Sequence, residues 1–137
     1  MKELRIPALA MAVVLLVGTA TSALPPRGCP QCDMLSDVTK KIVALMNEGR
    51  FPAAVERFDD RLKQELPAEK LERTWTDLSP KLGAFKRIVA VRTTERNGSF
   101  VSVATCAFEK GEIDVRLVYG ASERIAEMSI VPAGSKG

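Results

Sequence analysis

The chain contains no histidine, which removes the commonest general base and with it the Ser-His and Cys-His nucleophile pairs. With three cysteines and no histidine, a four-ligand zinc site is not expected. Neither G-x-S-x-G, a P-loop nor a dinucleotide-binding fingerprint occurs, so no nucleotide or other cofactor is expected. Aromatic residues are scarce at 5%, with one Trp and one Tyr, and acidic and basic residues are interspersed rather than blocked. The formal net charge of +3 therefore describes a mixed, solvated surface and gives no reason to expect nucleic-acid binding. There are no internal repeats.

Long apolar runs are also lacking, with one exception near the start. Lys2 and Arg5 precede an apolar run from Ile6 to Val17, followed by small residues ending at Ala23. That layout is a secretory signal peptide; the run falls short of the roughly 20 apolar residues a spanning helix needs. An uncleaved anchor is the alternative. Gly28-Cys29 is not read as a lipobox, because Pro26 and Arg27 stand where such a box wants an aliphatic and a small residue. The expected organisation is a signal peptide over 1–23, an extended lead-in carrying a C-x-x-C over 24–32, one domain over 33–131 and a tail over 132–137. A length of 137 residues suits one domain. The mature protein is expected to be secreted or periplasmic, with no membrane attachment after cleavage.

Asp33 is a plausible N-cap for a first helix whose apolar positions are Met34, Leu35, Val38, Ile42, Leu45 and Met46, with Gly49 as its stop. A second short helix carries Phe51, Val55 and Phe58 and breaks near Asp59-Asp60. Pro67 opens a third, with Leu71, Trp75 and Leu78 on one stripe, ended by Pro80 and Gly83. From Gly83 to Val131 the pattern alternates as in a four-stranded antiparallel meander. Asn97-Gly98 is the strongest hairpin signal, because both residues tolerate positive φ. It pairs Arg96 with Ser99, Val91 with Ala104 and Val89 with Cys106. A turn at Lys110-Gly111 then sets Phe108 opposite Ile113 and Cys106 opposite Val115.

This register puts Val89, Val91, Ala104, Cys106, Phe108, Ile113, Val115, Leu117 and Tyr119 on one apolar face. Ile88, Ala90, Arg92, Val103, Thr105, Asp114, Arg116 and Val118 fall on a mixed face. A last turn near Ser122-Glu123 adds Ala126, Met128 and Ile130 to the apolar side and Glu127 to the mixed one. Helices followed by a meander give an α+β order, with the helices laid on one face of a curved sheet.

Several stretches carry a resemblance: Phe58-Asp59, the LPAEKL helix start, Trp75, the Leu82-Gly83-Ala84-Phe85 entry and the Phe108-Glu109-Lys110-Gly111 turn. Over roughly Val38 to Ile130 the chain resembles a bacterial family of uncharacterised secreted or hydrolase-linked domains. That family is of the cone-shaped α+β type, the nuclear-transport-factor-two-like or cystatin-like superfamily. The resemblance implies a cone-shaped, cystatin-like sheet. The superfamily hosts enzymes, ligand carriers and dimerisation modules alike, so it implies no single activity. The last turn lacks the Asp-Gly usually seen in the family.

Three candidate sites emerge. Cys29-Pro30-Gln31-Cys32 stands just before a predicted helix, where a thiol-disulfide function is coherent, although the βαβ context of thioredoxin-like motifs is missing. A structural disulfide, from one of this pair to Cys106 or within the pair, is the competing account. Trp75, Phe85, Phe108 and Tyr119 could line a pocket or simply fill the core, as aromatics at such spacing usually do. Related cone folds place an Asp and a Tyr in the pocket; Tyr119 falls on the covered face but Asp114 does not, which argues against an isomerase-like site. The mixed face, with Ile88, Val103, Arg116 and Val118, could meet a partner or a second copy. The chain is expected to be a non-catalytic exported domain that binds a protein partner or a small apolar ligand. The alternatives are a thiol-disulfide or pocket-based enzyme and a homodimerisation module joined through the exposed sheet face.

Overall fold

The computed structural model describes residues 29–134. The expected signal peptide, all of the lead-in before Cys29 and the last residues of the tail lie outside these residues. The element order is α1 (Pro30–Asn47), α2 (Phe51–Val55), α3 (Asp60–Glu65), α4 (Ala68–Thr76), α5 (Ser79–Leu82), β1 (Phe85–Arg96), β2 (Ser99–Phe108), β3 (Gly111–Tyr119) and β4 (Ile125–Pro132).

Helix α1 starts at Pro30, earlier than the expected Asp33 cap, so the C-x-x-C belongs to the helix rather than to an extended lead-in. Cys29 is the N-cap, its sulfur accepting the Cys32 N–H at 3.1 Å. Pro30 supplies a first-turn residue with φ already set, and Asp33 lies in the first turn, where its charge suits the helix dipole. The stripe Leu35, Thr39, Ile42, Val43 and Met46 is buried. Between α2 and α3 the chain breaks as the Asp59-Asp60 pair predicts, with the Asp59 carboxylate capping the Leu62 N–H at 2.7 Å. The backbone freed by this break is used: Asp59 N–H donates to the Ile125 carbonyl and Ile125 N–H to the Arg57 carbonyl, a parallel bridge that grips the start of β4.

The strands form one antiparallel sheet in the order β1-β2-β3-β4. Its first hairpin is the expected one, with Asn97 and Gly98 at positive φ and Arg96 opposite Ser99. The second hairpin is shifted by two residues: Phe108 pairs with Gly111, Cys106 with Ile113 and Ala104 with Val115. Its loop is Glu109-Lys110, whose N–H groups donate to the carbonyls of Ala84 and Leu82. A slip of two preserves side-chain facing, so the expected faces of β2 and β3 hold although the expected pairs do not.

In β1 the faces change. Val91 pairs with Ala104 as expected, but Ile88 then pairs with Cys106, leaving Val89 as an extra residue at a bulge. Val89 is 43% exposed, whereas Ile88 packs against the core; the unbulged register had exchanged their faces. A second irregularity at Lys86 brings Phe85 opposite Phe108. In β4, Met128 and Ile130 pack against the core as expected, while a bulge at Ala126 lets Ile125 pair with Tyr119 and become fully buried.

The expectation of a curved, cone-shaped, cystatin-like sheet is corrected. The sheet is open, with β1 and β4 as its two edges, and it is not strongly curled. Strong curvature comes from bulges or glycine kinks. Here the register between the two central strands runs unbroken from Phe100–Tyr119 to Phe108–Gly111, and the bulges sit in the edge strands. What remains is an α+β fold, N-terminal helices laid on one face of a four-stranded antiparallel sheet.

The helices and sheet enclose a core of Leu35, Ile42, Phe58, Leu71, Trp75, Val115, Leu117 and Ile125 among others. The polar side chains buried within it, Thr39 and Ser102, are 0% exposed and are satisfied by a chain of hydroxyls. Ser36 meets Thr93 at 2.7 Å, Thr93 donates to Ser102 at 3.0 Å, Thr39 donates to Ser102 at 2.7 Å, and Thr39 meets the Tyr119 hydroxyl at 2.8 Å. This chain fastens α1 to three strands.

Gly83 makes the turn from α5 into β1 at φ +79°, ψ −158°, a region essentially confined to glycine. A Cβ there would lie 2.9 Å from the Cβ of Glu109. Gly83→Ala is expected to lose about 1–3 kcal/mol, read as a lower urea midpoint with an unchanged slope; an unchanged midpoint would show that this entry is not held in place.

Candidate functional site

The face of the sheet away from the helices is built in rungs. The registers align Thr94, Val101, Val118 and Glu127 in one rung, then Arg92, Val103, Arg116 and Ser129, then Ala90, Thr105, Asp114 and Val131. Alternation along β2 and β3 produces this mixture, since the residues between these are the core side chains. Val101, Val103, Asp114, Arg116, Val118 and Val131 are half-buried by their neighbours alone. A groove of about 680 Å³ runs over Val101, Val103, Thr105, Asp114, Arg116 and Val131. A second cleft, against α3, is lined by Arg61, Glu65, Arg116, Val118 and Glu127. The two share Arg116 and Ser129.

Asp114 is held from both sides, accepting from the Thr105 hydroxyl at 2.7 Å and from the Gly134 N–H at 3.2 Å. Among the described residues, neither Arg92 nor Arg116 has a carboxylate within 4.0 Å. The middle rung is therefore a basic centre, two guanidinium groups on either side of Val103, with Glu112 and Glu127 toward the rim. Of the partner-face candidates, Val103, Arg116 and Val118 lie on this surface. Ile88 does not; the bulge at Val89 turns it to the helix-covered side.

The other candidates lie elsewhere. Trp75, Phe85 and Phe108 pack on one another, with ring centroids 5.5–6.1 Å apart and the Phe85–Phe108 pair edge-on. Tyr119 is 0% exposed and belongs to the hydroxyl chain; burial pushes its phenol above the ordinary value, against the pull of the Thr39 hydrogen bond and the Arg57 charge. None of the four lines either cleft on the open face. Cys29 and Cys32 form a disulfide with each other. Cys106 is free and buried, its thiol pushed up to about 12 by burial and, secondarily, by the charge of Asp114. Among the described residues no cluster of three or more Cys, Asp or Glu could hold a metal ion. Nor is any described helix long and apolar enough to cross a membrane.

Sequence reasoning missed the basic centre because Arg92 and Arg116, far apart in the chain, come to flank Val103 only once both registers are right. The hydroxyl chain was missed as well; Thr39 on an otherwise apolar helix stripe was its one local sign.

Comparison with curated proteins finds no match. Among solved structures, the chain is similar to an NMR structure of a protein from Ruminococcus gnavus. The TM-score is 0.55 at 14% identity, over 77% of this chain and 94% of the other. At that identity the likeness is one of fold. A sequence family described as "protein of unknown function (DUF3887)" matches residues 39–128, from the middle of α1 into β4, and so takes in the open-face residues of β1, β2 and β3 and, from β4, Glu127. The chain belongs to that family, DUF3887.

Proposed function

We propose that this chain is exported and that its open sheet face is a non-catalytic binding surface, which docks a protein partner bearing acidic groups. The observation that carries this reading is the rung Arg92–Val103–Arg116–Ser129, a basic and apolar centre on a sheet face that no element of the described fold covers. An antiparallel sheet can leave one face wet, and alternation then places polar residues on that face. Here four valines stand among the charges of two adjoining clefts. The clefts are shallow and open, which suits the surface of another protein better than the enclosure of a small apolar ligand. The packed aromatic cluster points the same way, since it leaves no room between helices and sheet for a ligand at Trp75. Export is supported by the layout of residues 1–23.

The test is Val103→Glu, which places a carboxylate between the two arginines and removes the apolar centre. The native assembly from the exported fraction is expected to run above the 14.9 kDa of the full chain and to fall to monomer size in the variant. Circular dichroism should stay unchanged, because Val103 points away from the core. A wild-type chain that already runs as a free monomer in that fraction would sink the proposal. Doubled mass of the purified protein alone would make the partner a second copy.

A further inference from the structure

The disulfide at the head of α1 is out of place as a staple. It joins residues three apart in sequence, which the helix already holds together through its own Asp33 N–H to Cys29 carbonyl bond at 3.1 Å. Disulfides stabilise chiefly by closing long loops in the unfolded chain, and this one closes about the shortest loop available. It ties no second element to the fold. The tether that would do so, to Cys106 in the sheet, is not made; Cys106 remains a free thiol at 0% exposure.

Other features fit chemistry at this pair. Cys29 is the N-cap of an 18-residue helix, and its sulfur accepts the Cys32 N–H at 3.1 Å. Both the helix dipole and that N–H favour negative charge on the Cys29 sulfur once the bond is reduced. Cys29 and Cys32 are each partly exposed, so a second protein can reach them. Met34, one of the large apolar side chains most open to solvent at 42%, stands two residues further along the same helix. The Gln31 side chain hydrogen-bonds Glu123 in the β3–β4 turn, which fixes the helix end without covering either sulfur.

We infer that Cys29 and Cys32 form a thiol–disulfide exchange site acting on protein disulfides, a function separate from the sheet face. In the reduced pair the Cys29 thiolate attacks one sulfur of a client disulfide. A bond forms from Cys29 to that sulfur, and the client's other sulfur leaves as a thiolate. Cys32 then gives its proton to solvent and attacks the Cys29 sulfur, releasing the client's second thiolate. The client has gained two electrons, and the Cys29–Cys32 bond has re-formed. An external dithiol returns the pair to its reduced state.

The test uses insulin as client and dithiothreitol as electron source. The wild-type chain is expected to speed insulin disulfide reduction at least about tenfold over dithiothreitol alone, since exchange rates follow the availability of the attacking thiolate. Cys29→Ser is expected to abolish the gain. Reduced Cys32→Ser should accumulate a mixed disulfide with an insulin chain, visible as an added mass. Both variants should keep the circular dichroism spectrum of the wild type, because the helix is closed by its own bonds. A wild-type rate equal to that of Cys29→Ser, or no adduct on Cys32→Ser, overturns the inference. So does a collapse of the fold on reduction of the wild type, which would show the bond to be a staple after all.

Discussion

Trp75→Ala is expected to remove about 3–5 kcal/mol of stability, the usual loss for deleting a buried indole. The reason is local. Helix α4 buries only Leu71 and Trp75, so the indole is half of what docks that helix. Trp75 also closes the cluster with Phe85 and Phe108, both within 6.1 Å, and those rings seal the end of the sheet where α5 turns into β1. Tilted and edge-on aromatic pairs add about 0.5–1.5 kcal/mol beyond area burial. Set against a total stability of about 5–15 kcal/mol for an ordinary domain, this one change approaches the threshold of unfolding. Because Trp75 is the chain's one tryptophan, its fluorescence follows wild-type unfolding directly, while the variant is followed by circular dichroism. Trp75→Phe should recover much of the loss. A loss under about 1 kcal/mol for the alanine variant, the level of an ordinary surface change, would mean that α4 is not docked as described.

The sequence was most legible where a turn residue and an alternation agreed. Asn97-Gly98 fixed the first hairpin, and Asp59 marked the break between α2 and α3. It was least legible where one residue too many enters an edge strand. Nothing in the run from Phe85 to Val91 says that Val89 bulges, because Ile88 and Val89 are both β-branched and either suits the core. The backbone chose Ile88, and with it the expected open-face residue became a core residue. The second hairpin shows a different ambiguity. Lys110-Gly111 and Glu109-Lys110 both make acceptable loops, and the choice rested on the carbonyls of Leu82 and Ala84, which no local pattern reveals. Curl was the least accessible property. Alternation specifies which residues share a face, but the bending of that face depends on where bulges fall.

The candidate sites follow the same division. The C-x-x-C could be read directly, yet its pairing could not, because whether Cys29 or Cys32 reaches Cys106 depends on where α1 begins. With Cys29 as the cap the two sulfurs share the first turn, and the Cα atoms stand 5.0 Å apart, within the ordinary range for a disulfide. Cys106 is then sealed beneath the helices. The mixed face was legible as a face, since faces survive a slip of two residues. Its basic centre was not, because that requires the pairs themselves.

The sealed thiol makes a prediction about alkaline pH. Cys106 has a folded pKa raised from 9.0 to about 12, so between those values the unfolded chain has given up a proton that the folded chain still holds. Stability therefore falls as pH rises. The contribution is fully present below about pH 9 and is lost by about pH 12. At 1.36 kcal/mol for each pKa unit, the whole window is worth at most about 4 kcal/mol. Between pH 8 and 10.5 the expected loss is about 2 kcal/mol. Tyr119, also raised by burial, acts in the same direction, so a single curve cannot isolate the thiol. A comparison can. In a Cys29→Ala, Cys32→Ala background, Cys106 is the one remaining thiol. Urea unfolding at pH 8 and at 10.5 is measured there with and without Cys106→Ala. The Cys106→Ala chain is expected to start about 1 kcal/mol less stable for the lost packing. It should then lose less stability on going to pH 10.5, so that the two chains converge or cross. Parallel losses in both would mean that Cys106 ionises as easily in the folded chain as in the unfolded one, and that the seat of α1 over the sheet admits water.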